Sequence, residues 1–304
     1  MDNWPAGKLQ RVREVLAALE LPEAGTAVDF GCGNGTMTAV LREALPAWHI
    51  VGLDVSRVAL EHARQTVPDC AFHHLDERAG GAYLDETDAP LSERSRMVAG
   101  TVDFLFTHHV LEHVNDLQRT WTRMAGLMRE RSWMLHILPC GDPGSLEHEL
   151  CRLRRDGIDS SNGRFFYEDP SHLRRLRTQE MVASAGRFGY ALADAFYSHH
   201  HIEAIDWLSG NGIRFVLDLC DPTQAVDEPA KRRLARIRRQ LLGMSVIKRI
   251  ARSRRLGARP LVAIAQRLSQ RWARQSDREW QALRSHPGGS EMYLVFHRAG
   301  GSQT

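Results

Sequence analysis

A chain of 304 residues, 43 % of them apolar, is long enough for one large domain or a core domain with an appendage, and it can bury a substantial core. Five cysteines (Cys32, Cys70, Cys140, Cys151 and Cys220) with no C-x-x-C pair exclude a disulfide scaffold, argue against a zinc site or redox dithiol, and suit a reducing cytoplasm. The opening MDNWPAGKLQRVREV lacks the apolar core of a secretory signal, and no run approaches the ~18 apolar residues of a membrane span, so a cytoplasmic protein is expected.

The formal charge of +3 is unevenly spread. Residues 231–284 hold 17 Lys/Arg against two acids, Asp277 and Glu279, and the rest of the chain holds 23 against 35. An acidic body with a basic appendage implies that the appendage meets something anionic or folds back on the body.

In chain order, short apolar runs at 27–31, 49–54, 71–75, 101–107 and 132–138 read as strands. Helical periodicity lies around 36–45, 56–66, 116–129 and 178–187. Further strands are expected at 189–198 and, alone near the C-terminus, at 292–297. Strands alternating with helices of about ten residues predict an α/β fold with a doubly wound, mostly parallel, seven-stranded sheet. A core of 1–200 and 288–304 would then be interrupted, before its last strand, by a basic helical insertion at 201–287. Within the insertion, Leu234, Ile237, Leu241, Met244, Ile247 and Ile250 recur at helical spacing. Leu261, Ile264, Leu268 and Trp272 do the same after the Gly257/Pro260 break. The amphipathic pair reads as a cap or dimer arm with a solvated arginine face, or as a surface for an acidic carrier, a nucleic acid or a lipid headgroup.

The most informative stretch is VDFGCGNGT, 28–36, where glycines alternate directly after an apolar strand. A dinucleotide loop, G-x-G-x-x-G, would need glycine at Thr36, and Asp29 would repel a pyrophosphate. The same carboxylate would attract a cofactor bearing an ammonium or sulfonium, which favours S-adenosylmethionine (SAM). Asp54, 23 residues after Gly31, ends the next strand at the reach for ribose hydroxyls. Asp76 closes the strand after that, within reach of an adenine amine. Three acids at successive strand ends line the carboxyl edge of the sheet, where open α/β sheets bind ligands.

These motifs, with GLDVS (52–56), HLDE (74–77), FTHHVLEHVND (106–116) and HLRRLRTQEMVASAGRFGY (172–190), resemble the class I SAM-dependent methyltransferases, in particular the small-molecule group related to ubiquinone-biosynthesis methyltransferases. The resemblance covers about 27–198 and the last strand. It implies that Asp29, Gly31, Gly33 and Gly35 hold the methionine moiety, Asp54 the ribose, and Asp76 with Glu77 the adenine. Cys32, Asn34, Val55, Thr107 and His108 complete the expected cofactor site. One departure is visible: the glycine pair usual before the fifth strand is replaced by MRERSWML, so that turn is expected to be reshaped.

Methyl transfer needs orientation of the two partners and, for some acceptors, removal of a proton. His109 and His113 are the candidate bases after the fourth strand. His172 and Tyr167, beside Phe165 and Phe166 in GRFFYEDPS, are candidate contacts to the acceptor. His136, between Leu135 and Ile137, reads as a core histidine. His199, His200 and His201 are adjacent and so cannot converge on one ion without a sharp bend, and no metal is expected. The function expected is SAM-dependent O-, N- or C-methylation of a small biosynthetic intermediate. The alternatives are a SAM-consuming reaction without methyl transfer, and an RNA methyltransferase using the basic insertion. The insertion's few aromatics make a nucleic acid the weaker partner.

Overall fold

A computed structural model describes residues 6–75, 83–84, 100–253 and 259–299. In chain order the elements are α1 (Ala6–Ala18), β1 (Thr26–Phe30), α2 (Thr36–Ala44), β2 (His49–Asp54), α3 (Arg57–Thr66), β3 (Ala71–Leu75), β4 (Tyr83–Leu84), β5 (Val102–His108), α4 (Leu117–Leu127), β6 (Met128–Pro139) and α5 (Leu146–Arg152). They continue with α6 (Thr178–Gly186), β7 (Ala191–Ser198), α7 (Ile202–Gly210), α8 (Ile213–Leu219), α9 (Glu228–Ala251), α10 (Arg259–Leu283) and β8 (Glu291–Arg298). Two compact units result: Met1–Leu138 with Gln179–Asp194 and Tyr293–Thr304, and Pro139–Thr178 with Ala195–Met292.

The sheet belongs chiefly to the first unit and runs β4-β3-β2-β1-β5-β6-β8-β7. The seven strands expected are all present, and the two-residue β4 adds an antiparallel eighth at the edge beside β3. The pairs β1–β2, β1–β5, β2–β3 and β5–β6 are parallel. Strand order reverses at β1, so the ends of β1 and β5 flank the switch point at which doubly wound sheets open a ligand crevice. The centre of the sheet is dry: Phe104, Leu105 and Phe106 of β5, and Trp121 of α4, are fully buried.

The reshaped turn is explicit. Helix α4, with Gly126 as its penultimate residue, passes directly into β6 at Met128, and Val102 pairs with Met128 while Phe104 pairs with Trp133. Four residues of β6, 129–132, therefore lie opposite the single Asp103 of β5, a wide bulge closed by the Ser132 hydroxyl donating to the Arg129 carbonyl at 2.8 Å. Asp103 secures this corner by accepting from Thr26 N at 2.8 Å and pairing with Arg129 at 2.8 Å.

The second unit is helical around its own core. Helix α9 buries Leu234, Ile237, Leu241 and Met244 against Leu146 and Leu150 of α5, Ala204, Ile205 and Leu208 of α7, and Val216 and Leu219 of α8. Helix α10 packs along α9 and α7. This unit contains all of 201–287 together with 139–178. The three consecutive histidines diverge within it. His199, at φ 59°, points Nε2 to Glu203 Oε1 at 3.2 Å, His200 Nε2 meets the Tyr197 carbonyl at 3.2 Å, and His201 precedes α7 with its N–H on Glu279 at 3.3 Å. Among the described residues no helix is long and apolar enough to cross a membrane.

Candidate active site

The glycine loop leaves β1 through backbone that only glycine adopts easily. Gly31 has φ +80°, and a Cβ there would lie 2.4 Å from Val110 Cγ2. Gly35, at φ +82°, precedes α2 with its Cα face against the backbone of Ala63 on α3, where a Cβ would lie 3.0 Å away. The amides of Gly31 and Cys32 both donate to the Leu53 carbonyl, at 2.7 and 3.0 Å, which ties the loop to the end of β2. Asn34 accepts from the amide and the hydroxyl of Thr36, at 3.2 and 2.7 Å, and so holds the turn into α2.

Asp54 is the hinge of this arrangement. Its Oδ2 accepts from Gly33 N–H and its Oδ1 from Ser56 N–H, each at 2.8 Å. Each carboxylate oxygen keeps a second lone-pair direction, so the group can still accept two hydroxyls. Val55 beside it is 54 % exposed, an apolar platform next to the acid, and a Cβ at Gly33 would meet nothing within 4 Å. A fixed carboxylate, an open glycine edge and an exposed aliphatic face fit an adenosine with its ribose on Asp54. Asp76 and Glu77 lie outside the described residues.

Asp29 sits 1 % exposed in β1, accepting from the Thr38 hydroxyl on α2 at 2.6 Å. Burial pushes its carboxyl up to about 7. The Thr38 hydrogen bond opposes that shift, and the charge of Asp54 adds to it. A cation brought to this end of the crevice would reverse the shift, as an ammonium or sulfonium requires. The Cys32 side chain packs with Leu60, Ala63, Val67 and Phe72 and its thiol is pushed up by burial, so what the residue offers the loop is its backbone.

At the end of β5 the expected residues separate. The Thr107 hydroxyl turns into the sheet, 2.8 Å from His136 Nδ1, and is therefore not presented to a ligand. His136 is fully buried, and that burial lowers it to about 3, so it is neutral. His108 is buried and lies parallel to Phe106, with ring centroids 6.4 Å apart. His109, at φ 53°, has its Nδ1 2.9 Å from Glu112 Oε1 and its Nε2 2.9 Å from Lys8 Nζ of α1. An ammonium can only donate, so Nε2 is the acceptor and the ring proton sits on Nδ1, facing Glu112. Burial opposes ionisation of Glu112, yet the contact with His109 holds its carboxyl below the usual range. His113 is half-buried at the end of the turn that follows β5, its N–H on the Val110 carbonyl at 3.0 Å. The sequence reading missed Lys8 and Glu112. Glu112 lies three residues beyond His109 inside a motif already singled out, whereas nothing local marks Lys8.

Tyr167 and His172 belong to the second unit, in a polar core that the sequence also left unmarked. The Tyr167 hydroxyl donates to Glu147 Oε2 at 2.5 Å, and the Ser290 hydroxyl donates to the other oxygen at 2.5 Å. Burial and then the charge of Glu147 push the Tyr167 phenol well above its ordinary range, so it is a donor and not a base. His172 Nδ1 lies 3.9 Å from Glu168 Oε2. Glu168 in turn pairs with Arg175, which also donates to the carbonyls of Cys140 and Ser290 at 2.7 and 2.8 Å and lies 3.8 Å over the Phe165 ring.

Comparison with known proteins agrees with the crevice. Residues 28–134 match the methyltransferase domain family. A trans-aconitate 2-methyltransferase of Methylobacterium radiotolerans is 28 % identical over 218 residues, 69 % of this chain and 76 % of that protein. One from an Azoarcus species is 34 % identical over 109 residues, 36 % of this chain and 37 % of that protein. A solved SAM-dependent methyltransferase from Archaeoglobus fulgidus aligns over 95 % of this chain and 92 % of its own, at 12 % identity and a TM-score of 0.46. Residues 28–134, which hold the glycine loop and Asp54, are thus the part of the chain that is similar to a methyltransferase domain.

Proposed function

We propose that this enzyme transfers a methyl group from SAM to a carboxylate oxygen of a small organic acid in the cytoplasm, a compartment that suits its five free cysteines. The donor assignment rests on Asp54, whose carboxylate is pinned by Gly33 and Ser56 while retaining acceptor capacity for a ribose diol. Bound SAM supplies a methyl group already activated by its sulfonium. The glycine loop and Asp54 orient the adenosine, Asp29 faces the ammonium, and Val55 offers an apolar surface to the base.

The acceptor class follows from what His109 is doing. With Lys8 on Nε2 and Glu112 against Nδ1, its ring has no lone pair to take a proton from an acceptor, so an acceptor that is already an anion at neutral pH suits the site. The relatives named for trans-aconitate, a carboxylic acid, support the same class. His109 and Glu112 then serve to position the Lys8 ammonium, a charge complementary to a carboxylate.

Incubation with SAM and a panel of small carboxylic acids, trans-aconitate among them, should give S-adenosylhomocysteine and a methyl ester cleaved by mild alkali. Methylthioadenosine instead would overturn methyl transfer. An alkali-stable methyl product would overturn only the carboxylate acceptor.

Asp29 adds a pH signature. Its folded-state pKa of about 7 exceeds the ordinary 3.8, so between those values the native state holds a proton that the unfolded chain has released. Its contribution to stability therefore falls as pH rises through that window. A bound ammonium favours the carboxylate, so SAM should bind more tightly as pH rises towards and past 7, with release of a proton. Calorimetry in buffers of different ionisation enthalpy measures that proton; none released near pH 6 to 7 would remove Asp29 from the donor site.

A further inference from the structure

Helix α10 exposes apolar side chains that its own unit leaves uncovered. Ala265, Ser276 and Trp280 are buried on its inner face, whereas Leu261, Ile264 and Leu268 are 58, 53 and 44 % exposed. At 100° per residue these three share one face. The adjoining face carries Arg267, Arg271, Arg274 and Arg278, all exposed and spaced by four, three and four. Val246 on α9 is a further aliphatic, 45 % exposed. From 246 to 268 the sequence holds seven Lys/Arg and no Asp or Glu. An aliphatic strip with a cationic strip alongside, on a 25-residue helix that is polar on average, has the form of a helix lying in a membrane interface.

We propose that the exposed face of α10 docks on an anionic lipid bilayer, with Leu261, Ile264 and Leu268 in the acyl boundary and Arg267, Arg271 and Arg274 on the headgroups. Charge complementarity selects this occupant. A second copy presenting the same face would set arginine against arginine, and a nucleic acid would leave three aliphatics in water with no exposed aromatic on α10 for its bases, since Trp280 is buried and Trp272 packs on the helical core with its N–H on the Ile202 carbonyl. An anionic bilayer satisfies both strips at once, through apolar contact and through attraction of Lys and Arg to acidic headgroups. The surface belongs to the second unit and the glycine loop to the first, and the proposal does not rest on the acceptor assigned above.

The test is co-sedimentation of the full chain with vesicles of phosphatidylcholine containing about a third phosphatidylglycerol, at roughly 0.1 M salt. The wild type should pellet with these vesicles and stay in solution with pure phosphatidylcholine. Ile264→Gln with Leu268→Gln, and separately Arg267→Glu with Arg271→Glu, should each lower vesicle affinity at least about tenfold, with thermal midpoint and SAM affinity unchanged because all four side chains are exposed. Several outcomes would overturn the proposal: wild type remaining in solution with anionic vesicles, equal pelleting with neutral ones, or glutamine variants that pellet like wild type. A solution dimer that the glutamine pair dissolves would equally overturn it, in favour of a second copy. Salt-sensitive retention of RNA without vesicle binding would do so in favour of a nucleic acid.

Discussion

Replacing Asp54 by alanine is expected to weaken SAM binding about 5- to 150-fold, a loss of ~1–3 kcal/mol, measured by titration calorimetry on the purified enzyme. Two effects add. The ribose loses its charged acceptor, and the amides of Gly33 and Ser56, each 2.8 Å from a carboxylate oxygen, lose the group that fixes them. The second effect loosens the glycine loop itself, so Asp54→Asn is not a mild control. An amide has one oxygen for two N–H donors and must turn its own NH2 towards the other, placing donor against donor. Asp54→Asn should therefore bind SAM nearly as weakly as Asp54→Ala. Unchanged affinity in both would move the ribose away from β2 and, with it, the whole donor assignment.

Arg175→Ala is the substitution with the largest expected effect on stability, about 3–5 kcal/mol, or roughly 10 °C in Tm, read by thermal unfolding. Arg175 is 6 % exposed and its guanidinium serves four groups: Glu168, the carbonyls of Cys140 and Ser290, and the Phe165 ring. Removing it leaves a buried carboxylate without its cation, takes the side-chain donor from the Cys140 carbonyl and leaves the Ser290 carbonyl only the Cys140 N–H, and the surrounding backbone, being part of three separate segments, cannot close over the gap. Lysine restores the charge but not the planar fork that reaches both carbonyls, so Arg175→Lys should recover less than half of the loss. Neutralising the partner as well, in Arg175→Met with Glu168→Gln, should recover more, because the uncompensated charge is then gone. If Arg175→Ala melts with the wild type, the polar core of the helical unit contributes nothing net.

The wide bulge at the start of β6 shows how far local sequence carries. The absence of glycine in MRERSWML pointed to a reshaped turn, and the turn is reshaped, yet only the pairing of Val102 with Met128 and of Phe104 with Trp133 says how. The same division runs through the site. The glycine loop was legible because its structure is local: a strand, a left-handed glycine turn and a helix start within ten residues, with Asp54 at the end of the neighbouring strand. The orientation of single side chains was not. Thr107 falls inside a recognisable motif but turns its hydroxyl into the sheet, because a motif does not say which partner a neighbouring strand will offer.

Taken alone, the sequence determined the class of fold, the glycine loop with its acids, and the segregation of positive charge into 231–284, since each depends on periodicity, turn chemistry or composition within a short window. Tertiary structure alone decided that His109 is held by Lys8, 101 positions away, that Arg175 closes a core from Phe165, Cys140 and Ser290, and that Leu261, Ile264 and Leu268 of an amphipathic helix face outward instead of inward. The physical reason is common to all three. Helical spacing and residue type establish that a face exists and what it could bind, but a hydrogen-bond partner or a covering surface comes from chain that is distant in sequence, and only the packed molecule brings it near.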